Sequence, residues 1–181
     1  MSTFRHRYAT RLNSFGASSN LAQALSRVAE VPGIGAVELN FPEHVAGPEQ
    51  VDEARELGFD VSALNLRYDP RVFHLGAFTN PNRELRARSI GLTRRAVDLA
   101  AASGIPHVIL WMGMDGFDYP FQANYQELWA LETEGFRAIA ERKPDVRVSV
   151  EYKPSDPRRV SLIRSMSDSL LAVREVRRPN F

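Results

Sequence analysis

The sequence predicts an α/β fold built on a parallel sheet, and three observations carry that expectation. Apolar runs of strand length alternate regularly with helical stripes, so each strand is followed by a crossover of helical length. The run His107-Val108-Ile109-Leu110-Trp111-Met112 is almost continuously apolar, as expected of a strand covered on both faces. Residues 146 to 158 begin as a strand, with Val146, Val148 and Val150 alternating with Arg147 and Ser149, and then break at Pro154 and Pro157 just after Glu151 and Lys153.

The elements follow in order. Residues 9 to 16 read as a short first strand, with Ser18, Ser19 and Asn20 as cap candidates for a helix striped by Leu21, Leu25 and Val28. Pro32 and Gly33 end that helix, and Ile34 to Phe41 form the second strand. A helix near Pro48 to Leu57 closes at Gly58, and Phe59 to Tyr68 is the third strand, followed by a turn-rich loop over 69 to 81. From Asn82 to Ser103 a long helix carries Leu85, Ile90, Val97 and Leu99 inward with its arginines mainly outward, and Gly104 ends it. A helix over roughly Tyr125 to Arg142 leads from the fourth strand to the fifth. A last helix carries Leu162, Ile163, Met166, Leu170, Val173 and Val176.

A doubly wound sheet and a barrel both suit this alternation. The pair Gly33-Ile34-Gly35 lies between a helix and a strand, the reverse of the strand-to-helix context that a dinucleotide-binding turn needs. About five β-α units fall short of the eight in a closed barrel of about 250 residues. The expectation is therefore a single incomplete domain over 1–181, truncated before a sixth strand.

Composition narrows the function classes. The 181 residues carry a formal net charge of +1, which provides no field for nucleic acid or an anionic membrane, and paired arginines read as solvated helix faces. With no cysteine, disulfides and thiolate metal sites are excluded, as suits a reducing compartment. Met1 to Tyr8 is polar and basic with no apolar run behind it, so neither a signal peptide nor a spanning helix is expected, and a cytoplasmic location follows.

Glu151 and Lys153 are two apart and share a strand face. At the C-terminal end of a strand in a parallel barrel, such a carboxylate can hold a divalent cation, and the ammonium beside it can polarise a substrate oxygen. The plainer alternative is a surface ion pair beside a turn.

Three segments in order then resemble one family. Residues 72 to 83 (Val-Phe-His-Leu-Gly-Ala-Phe-Thr-Asn-Pro-Asn-Arg), residues 111 to 116 (Trp-Met-Gly-Met-Asp-Gly) and residues 146 to 158 together resemble the xylose isomerase-like TIM barrels, metal-dependent sugar isomerases and epimerases. The loop Asp115-Gly-Phe-Asp-Tyr-Pro-Phe-Gln122, followed by Glu151-Tyr152-Lys153, is also similar to bacterial L-rhamnose isomerase. The resemblance covers residues 70 to 181 well and the first third by topology alone. It implies a partial (β/α)8 barrel in which Glu151 is a metal ligand for Mn²⁺, Mg²⁺ or Co²⁺ and Lys153 hydrogen-bonds a sugar oxygen during hydrogen transfer. Trp111 would be the wall against which the sugar stacks, and Asp156 a carboxylate supporting Lys153. Phe78 would be the aromatic that closes a neighbouring subunit's site, in an enzyme that is homo-oligomeric at full length.

This sequence also departs from the family. The position at the end of the second strand that carries a ring-opening histidine in xylose isomerase is Asn40, leaving a substrate contact but no acid–base group, and His44 reads as a loop residue. Met114 stands where that family has an arginine, so the sugar need not be xylose. The expected activity is aldose–ketose isomerisation by the full-length protein, with this chain alone inactive. The alternatives are epimerisation, a sugar lyase or deglycosidase on the same barrel, and a non-catalytic half barrel. An endonuclease IV-like repair enzyme is disfavoured by the four scattered histidines and near-zero charge.

Overall fold

A computed structural model describes residues 8–15 and 20–181. Five parallel strands, β1 (Tyr8–Arg11), β2 (Ile34–Phe41), β3 (Asp60–Leu66), β4 (His107–Trp111) and β6 (Arg147–Glu151), lie side by side in sequence order. Between them run α1 (Leu21–Ala29), α2 (Pro48–Glu56), the short α3 (Pro70–Phe73) with α4 (Arg83–Ala102), and α5 (Tyr125–Ala140). After β6 come β7 (Val160–Ser161) and α6 (Met166–Val176); β7 pairs antiparallel with β5 (Gly116–Phe117) in a separate two-stranded ribbon. The sequence order of the five strands is what right-handed β-α crossovers produce in a barrel wall, rather than the reversal of a doubly wound sheet.

Strand register sorts the side chains into two rows. Leu39, Leu64, Val108 and Val148 are aligned across four strands and are all buried, forming the face on which the helices pack. The next residues, Asn40, Asn65, Ile109 and Ser149, are aligned on the opposite, inner face. Helix limits follow their caps. Asn20, Asn82 and Asn124 each accept hydrogen bonds from first-turn amides, and Gly58 and Gly104 take the positive φ (87° and 65°) that ends a helix. The cap candidates Ser18 and Ser19, and the expected strand end at Gly16, lie outside the described residues.

Several elements differ from expectation for identifiable reasons. The first strand stops at Arg11, and Leu12–Phe15 turn into a single 3-10 turn. The loop over 69–81 contains α3, capped by Asp69 and started by Pro70. Helix α4 packs through small residues, Ser89, Thr93, Ala96 and Ala100 around Val97, while Leu85, Ile90 and Leu99 are only partly covered. This brings α4 close to β3, where the Tyr68 hydroxyl donates to Thr93 (2.8 Å) and Thr93 in turn to the Ser89 carbonyl (2.8 Å). Leu162 and Ile163 precede α6 instead of belonging to it. The buried residues of α6 are Ala172 and Val176, whereas Met166, Leu170 and Val173 are exposed. The ribbon depends on Gly116 (φ +154°), where a Cβ would collide with the Val160 carbonyl.

Two carboxylates lie deep in the helical layer. Asp115 accepts from the Ala77 amide (3.1 Å) and from the amide and hydroxyl of Thr79 (2.7 and 2.6 Å), pinning that loop to the end of β4. Burial pushes its carboxyl upward, and those donors oppose the shift. Glu132 of α5 is 0% exposed, and neither of its carboxylate oxygens has a hydrogen-bond partner. Burial, reinforced by the Asp115 charge, pushes its carboxyl well above the ordinary value. A carboxyl held more strongly as the acid in the folded state stabilises fully below its unfolded pKa, and that stabilisation is lost as pH rises through the folded value. Thermal melts from pH 4 to 9 should therefore show wild type losing stability relative to Glu132→Gln as pH rises, by up to about 1.4 kcal/mol per pH unit, with the two converging at acid pH. A difference independent of pH would mean that Glu132 is ionised in the fold.

Candidate functional site

Because the five strands are parallel, their C-terminal ends share one rim. There β1 ends at Arg11, β3 is followed by Arg67, β4 ends at Trp111 and β6 ends at Glu151, with Lys153 two residues further on. Trp111 and Glu151 are register partners. Arg11 reaches Glu151 at 3.8 Å, the Arg67 guanidinium lies 5.4 Å from the Trp111 ring centroid, and the Lys153 ammonium lies 5.3 Å from the same centroid. The rim thus gathers three cations and one carboxylate around an indole. The backbone of Gly113 holds that indole in place, since a Cβ there would collide with the ring.

The end of β2 is a polar knot. The Asn40 amide donates to His44 Nδ1 (3.1 Å), Asn40 Nδ2 donates to Glu43 (2.9 Å), and the His44 amide returns to the Asn40 carbonyl (2.8 Å). His44 is itself buried. Accepting at Nδ1 fixes the neutral tautomer with its proton on Nε2. Burial is the main cause of the lowered His44 pKa; Glu43 opposes it and Arg67 adds to it. Arg67 is likewise lowered, first by burial and then by the Arg11 charge, with Glu151 and Glu43 opposing. These couplings place His44 and Glu43 within the electrostatic reach of the rim. Deeper on the inner face, Asn65 donates to Glu38 (2.9 Å) and His107 Nε2 bonds the Ser149 hydroxyl (2.7 Å).

The structure brings together Glu151, Lys153, Trp111 and Asp156, which binds the Lys153 ammonium at 2.9 Å from a turn with positive φ (70°). Asn40 lies on the same side, but its amide is engaged by Glu43 and it is 2% exposed. Phe78 does not join them. Its ring is 1% exposed, set in the core between Tyr68 and Phe136. Exposed aromatics include Tyr152 (48%), between Glu151 and Lys153, and Tyr119 (60%) and Phe121 (95%), in the loop anchored by the Arg158–Asp118 ion pair at 3.0 Å. Sequence reasoning missed Arg11 and Arg67. For Arg67 the available signal was position, near the C-terminal end of the predicted strand Phe59 to Tyr68; Arg11 fell near the start of the predicted strand 9 to 16, and only the observed end of β1 at Arg11 puts it on the rim.

Among the described residues no three histidines or acids form a group able to hold a metal ion. A divalent cation bound by this chain would rest on Glu151 and water, too few ligands for a hard cation, with Arg11 competing for the carboxylate. The described residues alone therefore do not make a metal site.

Comparison with known proteins gives a consistent picture. The sequence pattern of the xylose isomerase-like TIM barrel family matches residues 25–181. The fold superposes on a 3-keto-D-glucoside 4-epimerase from E. coli with a TM-score of 0.74 at 18% identity, over 97% of this chain and 66% of that one. For an L-ribulose 3-epimerase the values are 0.75 and 16%, over 96% and 58%. For a D-allulose 3-epimerase from Methylomonas sp. solved with D-allulose they are 0.73 and 17%, over 96% and 60%. The chain spans 58 to 66% of the length of these structures.

The coupling of His44 to Arg67 is open to titration. By NMR, His44 should titrate below the ordinary histidine value of about 6.5, and Arg67→Gln should raise its midpoint by removing a like charge. An unmoved midpoint in the variant would place Arg67 outside the His44 field.

Proposed function

We propose, for a chain that belongs to the xylose isomerase-like TIM barrel family, that it supplies one wall of a sugar isomerase or epimerase site in which hydrogen is transferred at the carbon beside a sugar carbonyl. The observation that carries this reading is the rim itself. A carboxylate, an ammonium and a guanidinium converge on one indole at the C-terminal ends of parallel strands, where enzymes of this architecture place their chemistry. The matched structures are longer, so the complete barrel is proposed to include strands beyond the five here and to work on cytoplasmic sugars.

In the proton-transfer form of the reaction, the Glu151 carboxylate takes the proton from the carbon next to the carbonyl. The C–H electron pair then moves into the carbonyl to give an enediolate oxygen. Lys153, held by Asp156, hydrogen-bonds that oxygen as charge develops on it, and Arg67 adds positive potential. Delivery of a proton to the opposite face by a second acid, proposed to lie in the rest of the complete barrel, gives the epimer; return of the proton from Glu151 to the neighbouring carbon, with a proton passing between the two enediolate oxygens, gives the isomer. Asn40, tied to Glu43, is proposed as a hydroxyl contact through its carbonyl oxygen. Trp111 contributes apolar surface to the sugar's carbons. Glu151 is also proposed as one ligand of a divalent cation, Mn²⁺, Mg²⁺ or Co²⁺, in the complete barrel, and the roles given to this chain's own residues do not depend on it. The E. coli, L-ribulose and D-allulose proteins are each named epimerases, which favours epimerisation of a keto sugar as the second reading beside aldose–ketose isomerisation.

Turnover of a panel of aldoses and ketoses in D₂O by the complete barrel tests the proposal. Deuterium entering the product at carbon identifies proton transfer through a base that exchanges with solvent; its absence is the outcome expected of a direct hydride shift or of a base shielded from exchange. Glu151→Gln should lower kcat about 10²- to 10⁴-fold, the usual range for a general base. Full activity in that variant would remove Glu151 from the reaction.

A further inference from the structure

Arginines such as Arg88, Arg94 and Arg147 are solvent-exposed, but the other described arginines withdrawn from solvent are tied to oxygens: Arg86 donates to the Asn80 carbonyl, Arg137 donates to the Glu175 carbonyl, Arg158 pairs with Asp118 at 3.0 Å, and Arg178 pairs with Glu141. The two rim arginines are different. Arg11 Nε is buried with no hydrogen-bond partner, and the only carboxylate its guanidinium meets among the described residues is Glu151, at the long distance of 3.8 Å. Arg67 is half-buried, yet its guanidinium has neither a hydrogen bond nor an ion pair among the described residues, only the Trp111 ring. Nearby acids do not satisfy it, because Glu43 is engaged by Asn40, while Asp156 is spent on Lys153.

An unpaired guanidinium withdrawn from water is costly, and a second one beside it raises the cost. The lowered pKa of Arg67, to which Arg11 contributes, is the same repulsion seen from the proton's side. Sugar hydroxyls can accept from idle donors, but only an anion relieves the repulsion between the two cations. The planar guanidinium fork matches two oxygens of one carboxylate or phosphate. On the reading of this rim as a sugar site, we infer that its substrate is a sugar carrying an anionic group, a carboxylate or a phosphate, which is held by Arg11 and Arg67 while the sugar's reacting end faces Glu151 and Lys153.

The test is equilibrium binding to the full chain, by calorimetry and by Trp fluorescence, with two matched pairs: D-glucuronate against D-glucose, and D-ribulose 5-phosphate against D-ribulose. The anionic member of at least one pair should bind tenfold or more tightly, with the preference shrinking as salt is added. Which pair shows the preference separates carboxylate from phosphate. Arg67→Gln and Arg11→Gln should each abolish the preference, and Arg67→Lys, which keeps the charge and guards against a folding artefact, should keep part of it. Inorganic phosphate should compete with the anionic sugars in wild type and not in Arg67→Gln. Equal binding of charged and neutral sugars, no binding of either, or a preference that survives both glutamine variants overturns the inference. Because binding is read without turnover, the outcomes separate. Anion-selective binding with no hydrogen transfer by the complete barrel would sink the proposed reaction and leave the anion site standing, whereas turnover confined to neutral sugars would do the reverse.

Discussion

Everything at the rim depends on the register of the parallel sheet. Side chains alternate faces along each strand, so aligning Leu39, Leu64, Val108 and Val148 under the helices forces Asn40, Asn65, Ile109 and Ser149 onto the inner face. Two residues further along β4 and β6, on the same inner face, Trp111 stands beside Glu151. A slip of one residue would bury the carboxylate among the helices and turn valines toward the substrate. The hydrophobic row therefore sets more than stability: it fixes which chemical groups the C-terminal rim presents, and parallel strand direction ensures that they are presented together.

Around that rim the chain uses tight local fastenings. Asp115 takes the Ala77 and Thr79 amides and the Thr79 hydroxyl, drawing the loop after β3 against the end of β4. The same residue's carbonyl accepts from the Leu162 amide, and Gly116 admits the Val160 backbone, so the segment after β6 is tied to the same point. Lys153 is caught within this frame through its amide, which donates to the Ile163 carbonyl (3.0 Å), while its ammonium stays at the indole. A reacting group held at both ends loses little further freedom when it meets a ligand, which is how a scaffold turns packing into positioning.

The parts of this arrangement legible in the sequence were those coded locally. Ile34–Phe41 was readable as a strand because its apolar run is bounded by turn residues, and the limits of α4 because Asn82 caps it and Gly104 ends it. Glu151, Lys153 and Asp156 were visible because they lie within six residues on either side of a proline break. What escaped was set by tertiary context. The two-residue strands β5 and β7 have no periodicity to detect and exist only through each other. The inner face of α4 is made of Ser, Thr and Ala, which a search for large apolar residues passes over. The surroundings of Phe78 were equally out of reach, since a loop motif does not show that its ring lies in this chain between Tyr68 and Phe136.

Arg11 and Arg67 were hidden by abundance: in an arginine-rich chain, a guanidinium on its own carries no information. Their meaning comes from the contrast between their surroundings and those of the other arginines. Exposed Arg71 and Arg142 have carboxylates that raise their pKa, although water would have served either residue well. Among the described arginines withdrawn from solvent, the two at the strand ends have the fewest oxygen partners. A fold selected for stability alone would place its spare carboxylates the other way round, because pairing contributes little at the surface and much where solvent is excluded. Poorly paired charge withdrawn from solvent is thus concentrated, among the described residues, at the ends of β1 and β3, against the indole and beside the carboxylate that ends β6, where a bound ligand rather than the protein can complete it.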